Sequence, residues 1–229
     1  MQKKSWKPCA NMPKPAPEVI DVGGPQSAAK WRPLSRSFFD APPEQAARLL
    51  LGKILVRRGR DGPLAGRIVE TEAYLGEHDA AAHAARGRTA RNAVLYGPPA
   101  HAYIYNIYGL HACFNVSCLP QDVPGCVLVR ALEPLQGIAE MRRNRGFNRS
   151  AAIHQLASGP GKLCQALGIT RGDDNGLDLT RADGRLGLVE DDFRCGEIGV
   201  TPRVGVSKAA DWPLRFFLAG HDCVSGRSR

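Results

Sequence analysis

In the run GRIVETEAY (66–74) two glutamates stand two residues apart, and a tyrosine follows two further on. A β-strand sends alternate side chains to opposite faces. Ile68, Glu70, Glu72 and Tyr74 would then share one face, and Val69, Thr71 and Ala73 the other. A carboxylate beside an aromatic ring, backed by an apolar face, can line a pocket and take a proton there as a general base. The same spacing also suits an ordinary charged strand facing solvent. With Asp79 added it supplies three carboxylates of the kind that hold Mg²⁺. Spacing alone does not choose between Glu70 and Glu72.

The aromatic residues narrow the chemistry. All five tyrosines of the 229-residue chain fall between positions 74 and 108, whereas ordinary core usage would scatter them. The run HAYIYNIYG (101–109) places Tyr103 and Tyr105 on one strand face, with Tyr108 just before Gly109, where a turn is expected. Stacking of a nucleobase on an aromatic ring is worth about 1–3 kcal/mol. A tyrosine at a turn tip can fill the gap an extruded nucleotide leaves, and a tip covered by another loop is the plainer alternative. Between the two strands lie His83, Arg86, Arg88, Arg91 and Asn92, with no acid after Asp79. That loop reads as one that tracks phosphates, or as a solvated face.

These residues need a scaffold, and the local signals predict a mixed one. A helix should open at Asp40 as N-cap, with Pro42 and Pro43 in its first turn, and stop at Gly52. KILVRR (53–58) and GRIVETEAY read as strands joined through Arg60-Asp61-Gly62. Further strands are expected at 103–106, 113–118, 126–132, 203–206 and 214–219. Helices are expected at 134–145, with Pro134 at its first position and Gly146 beyond its end, and at 159–167, between Ser158 as cap and Gly168 as stop. Clustered strands flanked by helices, without strict β-α-β alternation, predict one α+β domain. Residues 1–33 stand apart, with six of the 17 prolines, six Lys or Arg and two acids. They read as a basic, flexible tail, leaving 34–229 as the domain.

The net charge is +9, carried by 23 arginines and eight lysines, and no lysine stands between Lys53 and Lys162. The guanidinium fork suits phosphate, so the balance favours a polyanionic partner. Seven cysteines without a CxxC pair read as reduced core residues, not as a zinc set. No apolar run is long enough to span a membrane and no secretory segment is recognised, so a cytoplasmic location is expected, nucleoid-associated or nuclear according to where the DNA is.

The runs LLGKILVRR, GRIVETEAYLG, AAH, RN, YIYNIYG, CFNVS, CVLVRALEPL, SGPGKLCQAL and RVGV…PLRF resemble the alkyladenine (3-methyladenine) DNA glycosylase family, in its order and near its spacing, from about Phe38 to Phe217. The resemblance implies a curved antiparallel sheet flanked by helices, with an aromatic hairpin inserted in the minor groove of double-stranded DNA. It implies that Glu72, not Glu70, activates the water that attacks C1′, assisted by Arg130. Tyr74, His83 and Tyr105 would form the base pocket with Leu128, and Asn115 would crowd the 2-amino group of guanine. Tyr108 would be the wedge, and Arg88, Arg91, Asn92, His111 and Lys162 would contact the DNA. Two departures stand out: the loop after His83 is one residue shorter than in mammalian members, and His111 replaces an aromatic residue. The expected activity is monofunctional excision of an alkylated or otherwise damaged purine, by a monomer without metal or cofactor. A lyase would need an amine, which the pocket-forming segment lacks. A metal-dependent nuclease, a non-catalytic binder of damaged DNA and a small-molecule hydrolase are the rival readings. A strand ion pair with Arg67 or Arg57 is the expected structural role of Glu70.

Overall fold

GRIVETEAY lies in a strand longer than its pattern predicts, and that strand organises the fold. The computed structural model describes residues 31–59, 61–107, 109–147 and 151–226. In chain order the described elements are β1 (Arg32–Pro33), α1 (Pro43–Leu50), β2 (Ile54–Gly59), β3 (Gly62–Tyr74), β4 (Ala102–Ile107), β5 (His111–Ser117), β6 (Cys126–Gln136), α2 (Ile138–Asn144), α3 (Pro160–Leu167), α4 (Arg171–Asp174), β7 (Leu186–Glu190), β8 (Ile198–Thr201) and β9 (Arg215–Leu218). All strands join one open antiparallel sheet in the order β1-β7-β2-β3-β6-β5-β4, with β9 on β3 and β8 on β9. The α+β expectation is met.

Strand β3 is central. Its first half pairs with β2, closing in a tight hairpin at Gly59↔Gly62. Its second half pairs with β9 through Glu70, Thr71 and Glu72, while β6 runs along the other edge from Ala65 to Tyr74. Neighbours on both edges satisfy its backbone, and α1 covers the face that carries Val69, Thr71 and Ala73. Thr71 Oγ1 donates to Ala47 O at 2.9 Å, and Ala46, Ala47 and Leu50 join Val69 and Ala73 in the main core. The predicted alternation holds from Glu70 to Tyr74 but not before it. The register with β6 shifts on both sides of Glu70, and Ile68 joins the same core as Val69. A β-bulge explains this, because one extra residue re-aims the side chains that follow.

Element ends differ from the sequence reading in four places. Helix α1 is capped at Pro42, with no side-chain cap, so Asp40 plays no such part. Pro134 stays in β6, opposite Gly66 at a register shift, and the chain enters α2 only after Gly137, at φ +75°. A proline fits a strand at such an irregularity because no ladder donor is needed there. Helix α3 starts after Gly159, not Ser158, and stops as expected at Gly168, whose N–H bonds to Gln165 O at 3.1 Å. Residues 203–206 form no strand. Residues 1–30 lie outside the described residues, but Trp31–Pro33 of the expected tail join the sheet, where Arg32 and Pro33 pair with Glu190 and Val189. None of the described helices is long and apolar enough to cross a membrane.

The turn that leaves β3 depends on one glycine. Gly76 has φ +90°, and a Cβ there would stand 2.1 Å from the carbonyl oxygen of Pro124. Left-handed strain and a backbone clash act together, so Gly76→Ala should cost at least about 2 kcal/mol. A fall in the midpoint of chemical denaturation, followed by fluorescence, is the measurement.

Candidate active site

The face of β3 that points away from α1 carries charge into the interior. Glu70 and Glu72 are both fully buried. Glu72 Oε1 accepts the Val204 N–H at 2.7 Å and lies 3.1 Å from Arg130 Nη1; its Oε2 accepts the Tyr74 hydroxyl at 3.0 Å. Glu70 Oε1 accepts Arg130 Nε at 2.8 Å, Arg215 Nε at 2.7 Å and Ser225 Oγ at 2.9 Å, and its Oε2 accepts the Ser225 N–H at 2.7 Å. The expected partners of Glu70 are therefore corrected: Arg67 instead pairs with Asp191.

The two carboxylates are driven apart in acidity. Burial pushes Glu72 above the ordinary carboxylate range, and Arg130, the Val204 amide and Tyr74 offset this only in part. Burial acts on Glu70 too, but Arg130, Arg215 and Ser225 outweigh it and hold that group below the ordinary range. Neighbouring acids with opposed shifts are the usual arrangement where one of them must exchange a proton.

In front of Glu72 lies a cavity of about 390 Å³. Its walls include Tyr74, His83, Tyr105, Asn115, Leu128 and Arg130, so the structure brings together all the residues expected around a base pocket. Glu72 sits behind the wall formed by Tyr74, Arg130 and Val204. His83 opens a short 3₁₀ turn, and its Nδ1 lies 2.7 Å from the Tyr103 hydroxyl. The His83 and Tyr105 rings meet edge to face, with centroids 4.4 Å apart. Partial desolvation of its ring against the pocket, with Arg91, holds His83 below its usual acidity range although the residue is exposed on one side, which favours the neutral ring. Burial also raises the Tyr103 hydroxyl to about 12. Asn115 is fixed: its Nδ2 donates to the Tyr103 carbonyl at 3.0 Å, and it pairs with Leu128 across β5 and β6.

The expected DNA contacts divide. Arg88 and Arg91 are exposed, with their guanidinium carbons 5.5 Å from the Tyr96 ring and 5.8 Å from the Tyr105 ring. His111 and Lys162 are exposed beside the first turn of α3. Asn92 is different, being 1% exposed. Its amide donates to the carbonyls of His83 and Gly87 and accepts the Thr89 N–H at 2.7 Å, so it shapes the loop and has nothing left to offer a phosphate. Tyr108 lies outside the described residues; next to it Ile107 and Leu110 are exposed, Leu110 by 81%.

The segment 203–206 is the part of the site that the sequence did not reveal. Arg203 is buried against Asp79, with Nη2 2.9 Å from Oδ1, and its guanidinium lies 4.7 Å from the Tyr74 ring centroid. Asp79 also accepts the N–H groups of Leu75 and Ala81 at 3.2 and 3.0 Å. One ion pair therefore fixes both the loop leading to His83 and the segment that aims the Val204 N–H at Glu72. With Glu70 and Asp79 each saturated by arginine and N–H groups, the nuclease alternative loses two of its three ligands. No group of three His, Cys, Asp or Glu side chains suited to a metal occurs among the described residues.

Comparison with known proteins decides the class. Residues 37–222 match the methylpurine-DNA glycosylase family. The chain belongs to that family. A Koribacter versatilis protein, provisionally named a 3-methyladenine DNA glycosylase, is 52% identical over 201 residues, covering 88% of this chain and 97% of its own. A Mesorhizobium japonicum protein with the same provisional name is 48% identical over 197 residues, covering 85% and 90%. The DNA-3-methyladenine glycosylase of Mus musculus is 43% identical over 206 residues, covering 84% of this chain and 61% of the mouse one. The chain is thus a DNA glycosylase, a hydrolase of N-glycosyl bonds that acts in base excision repair.

The Asp79–Arg203 pair yields a stability test. Removing one member of a buried ion pair strands the other, at a cost of about 3–5 kcal/mol. Asp79→Asn should show that loss near neutral pH. Hydrogen bonds from Arg203, Ala81 and Leu75 hold the Asp79 carboxyl below its ordinary range, against the effect of burial. Its contribution is therefore complete above the unfolded-state pKa and disappears as pH falls through the folded one. Denaturation curves of the variant and the parent should converge on acidification, and a constant gap would overturn the assignment.

Proposed function

We propose that the enzyme excises alkylated purines, 3-methyladenine foremost, by rotating the nucleotide out of duplex DNA and directing water to C1′ with Glu72 as general base. The observation that carries this reading is the buried, weakly acidic carboxylate set directly behind an aromatic-walled pocket with room for a purine. Extrusion is required because the target bond is hidden in the stack; glycosylases are among the cases from which that rule was drawn. Tyr108, which the sequence places between β4 and β5, would fill the vacated space.

A 3-alkylated adenine is cationic. Tyr74 and Tyr105 would attract it by about 0.5–2 kcal/mol more than a neutral base. A neutral His83 adds a third ring without repelling the charge. Asn115, held by a backbone carbonyl, stands ready to block the 2-amino group of guanine. Glu72 Oε2 has one protein partner, which leaves an electron pair free for water. As the glycosidic bond stretches, the base leaves with the bonding electrons. Glu72 takes the water proton as oxygen bonds to C1′ and stabilises the positive sugar. The cavity wall contains no lysine, so no amine is at hand to form a Schiff base, and the product is a free base and an abasic site. One chain supplies the whole pocket, which supports a monomer as the working state. Hypoxanthine and ethenoadenine, which are neutral, are the secondary candidates.

Glu72→Gln should reduce release of 3-methyladenine from a defined duplex by about 10²–10⁴-fold or more, the usual contribution of a general base, and leave lesion-duplex binding intact. Release by the parent enzyme should persist in EDTA, and borohydride should trap no covalent complex. Undiminished release by the Gln variant would remove Glu72 from the role; a trapped adduct would make the enzyme a lyase.

A further inference from the structure

Glu70 does not itself line the cavity, yet it is as fully buried as Glu72 and more heavily bonded. Such a group costs free energy to bury, and satisfying it draws in two arginines and the C-terminal Ser225. The bulge in β3 is centred on this residue, with a register shift on either side. Bulges cluster beside active sites, where they re-aim a side chain.

Its geometry divides Arg130 in two. Glu70 Oε1 takes the Nε edge of the guanidinium at 2.8 Å, and Ser225 Oγ lies 3.4 Å from Nη2. Only Nη1 is left for Glu72, which it meets through Oε1 at 3.1 Å. A guanidinium free of that hold would turn its fork to Glu72, because bidentate arginine–carboxylate pairing is the stronger arrangement. Oε2 of Glu72, which accepts the Tyr74 hydroxyl, would then take a guanidinium N–H as well, and its affinity for a proton would fall. Arg215, beside Glu72 in the ladder and 2.7 Å from Glu70 Oε1, is held in the same way.

We propose that Glu70 is a positioning residue for the reaction: by holding the far edges of Arg130 and Arg215 it limits Glu72 to a single arginine contact, leaving an electron pair open on Oε2 and the group basic enough to accept a proton from water. This rests on the reading of Glu72 as the base. The charged and titratable groups that face Glu72 are Glu70 and Tyr74 on its own strand, Arg130 on β6, Arg215 on β9, Arg203 on the adjoining segment, and Tyr105 and Cys113 on the β4–β5 hairpin. Among the groups that shift Glu72, Arg130 acts against its protonation and Glu70 favours it, in line with the proposed division.

The test is the acid limb of kcat/KM against pH, which reports the base in the free enzyme. Glu70→Gln keeps the shape and removes the charge. It should move the limb to lower pH by about one unit, the lower end of what a neighbouring charge does, and lower the plateau rate. Glu70→Asp retains the charge and should leave the limb in place even where it costs stability. Arg215→Gln removes a cation and should move the limb to higher pH, which keeps the test alive if Glu70→Gln does not fold. General loosening of the site would shift both neutral variants the same way. An unmoved limb in Glu70→Gln, equal shifts in Gln and Asp, or parallel shifts in Glu70→Gln and Arg215→Gln would each overturn the proposal. Failure of the underlying reading looks different: Glu72→Gln would itself keep both activity and an acid limb.

Discussion

Four charged residues, Glu70, Glu72, Arg130 and Arg215, lie together out of water at the middle of the sheet, none more than 7% exposed. Isolated charges in such a place would cost many kcal/mol, so each must find partners from elsewhere in the chain. The architecture can be understood as the set of strands that deliver those partners. Strand β6 brings Arg130 along one edge of β3 and β9 brings Arg215 along the other. The chain then returns to place Ser225 over Glu70. Such a network gives less stability than an apolar core of the same volume would. It fixes instead which strand lies against which, since any slip would leave a charge unpaired.

The pocket is an outgrowth of this centre. The β4–β5 hairpin contributes Tyr103, Tyr105 and Asn115, joins the sheet through β6, and so takes its position from the strand that carries Arg130. The opposite wall has no ladder to place it. The loop before His83 and the segment 203–206 are held instead by the Asp79–Arg203 pair and by the Val204 N–H on Glu72 itself. One side of the pocket is thus as rigid as the sheet. The other side depends on polar contacts of loops, one of them to Glu72.

What the sequence disclosed follows from the range over which each signal acts. Strands β3, β4 and β5 were legible because alternation is a local property, and tyrosine spacing pointed to an aromatic cluster whose pocket members the family resemblance named. The partners of Glu70 were not legible, since they come from 60, 145 and 155 residues away and no periodicity encodes that distance. The valines of RVGV match a strand pattern, yet Gly205, at φ +77°, and the buried Arg203 make the segment a turn. Asn92 was misplaced for a simpler reason. A polar residue among arginines reads as exposed, but an amide can also be buried when carbonyls and an N–H use all of it. Choosing Glu72 over Glu70 came from family resemblance, and the geometry supplies a physical reason for the difference: one carboxylate is saturated and the other is not.

On the proposed reading, selectivity has to be divided among terms that are each modest. Cation–π attraction of about 0.5–2 kcal/mol separates a cationic base from a neutral one by roughly 2- to 30-fold, which is small against the excess of normal purines in DNA. Steric exclusion must add to it, and exclusion works only if the blocking group cannot yield. Asn115 meets that condition. It is 2% exposed, its amide is tied to the Tyr103 carbonyl, and it stands in a strand paired on both edges. The ring on the other wall is held less firmly: His83 is exposed on a short turn. A rigid block facing one adaptable ring would refuse the 2-amino group and still accommodate methyl groups at more than one position. The remaining discrimination falls to the lesion itself, because a cationic base is already a good leaving group and a poorly stacked one is easily extruded.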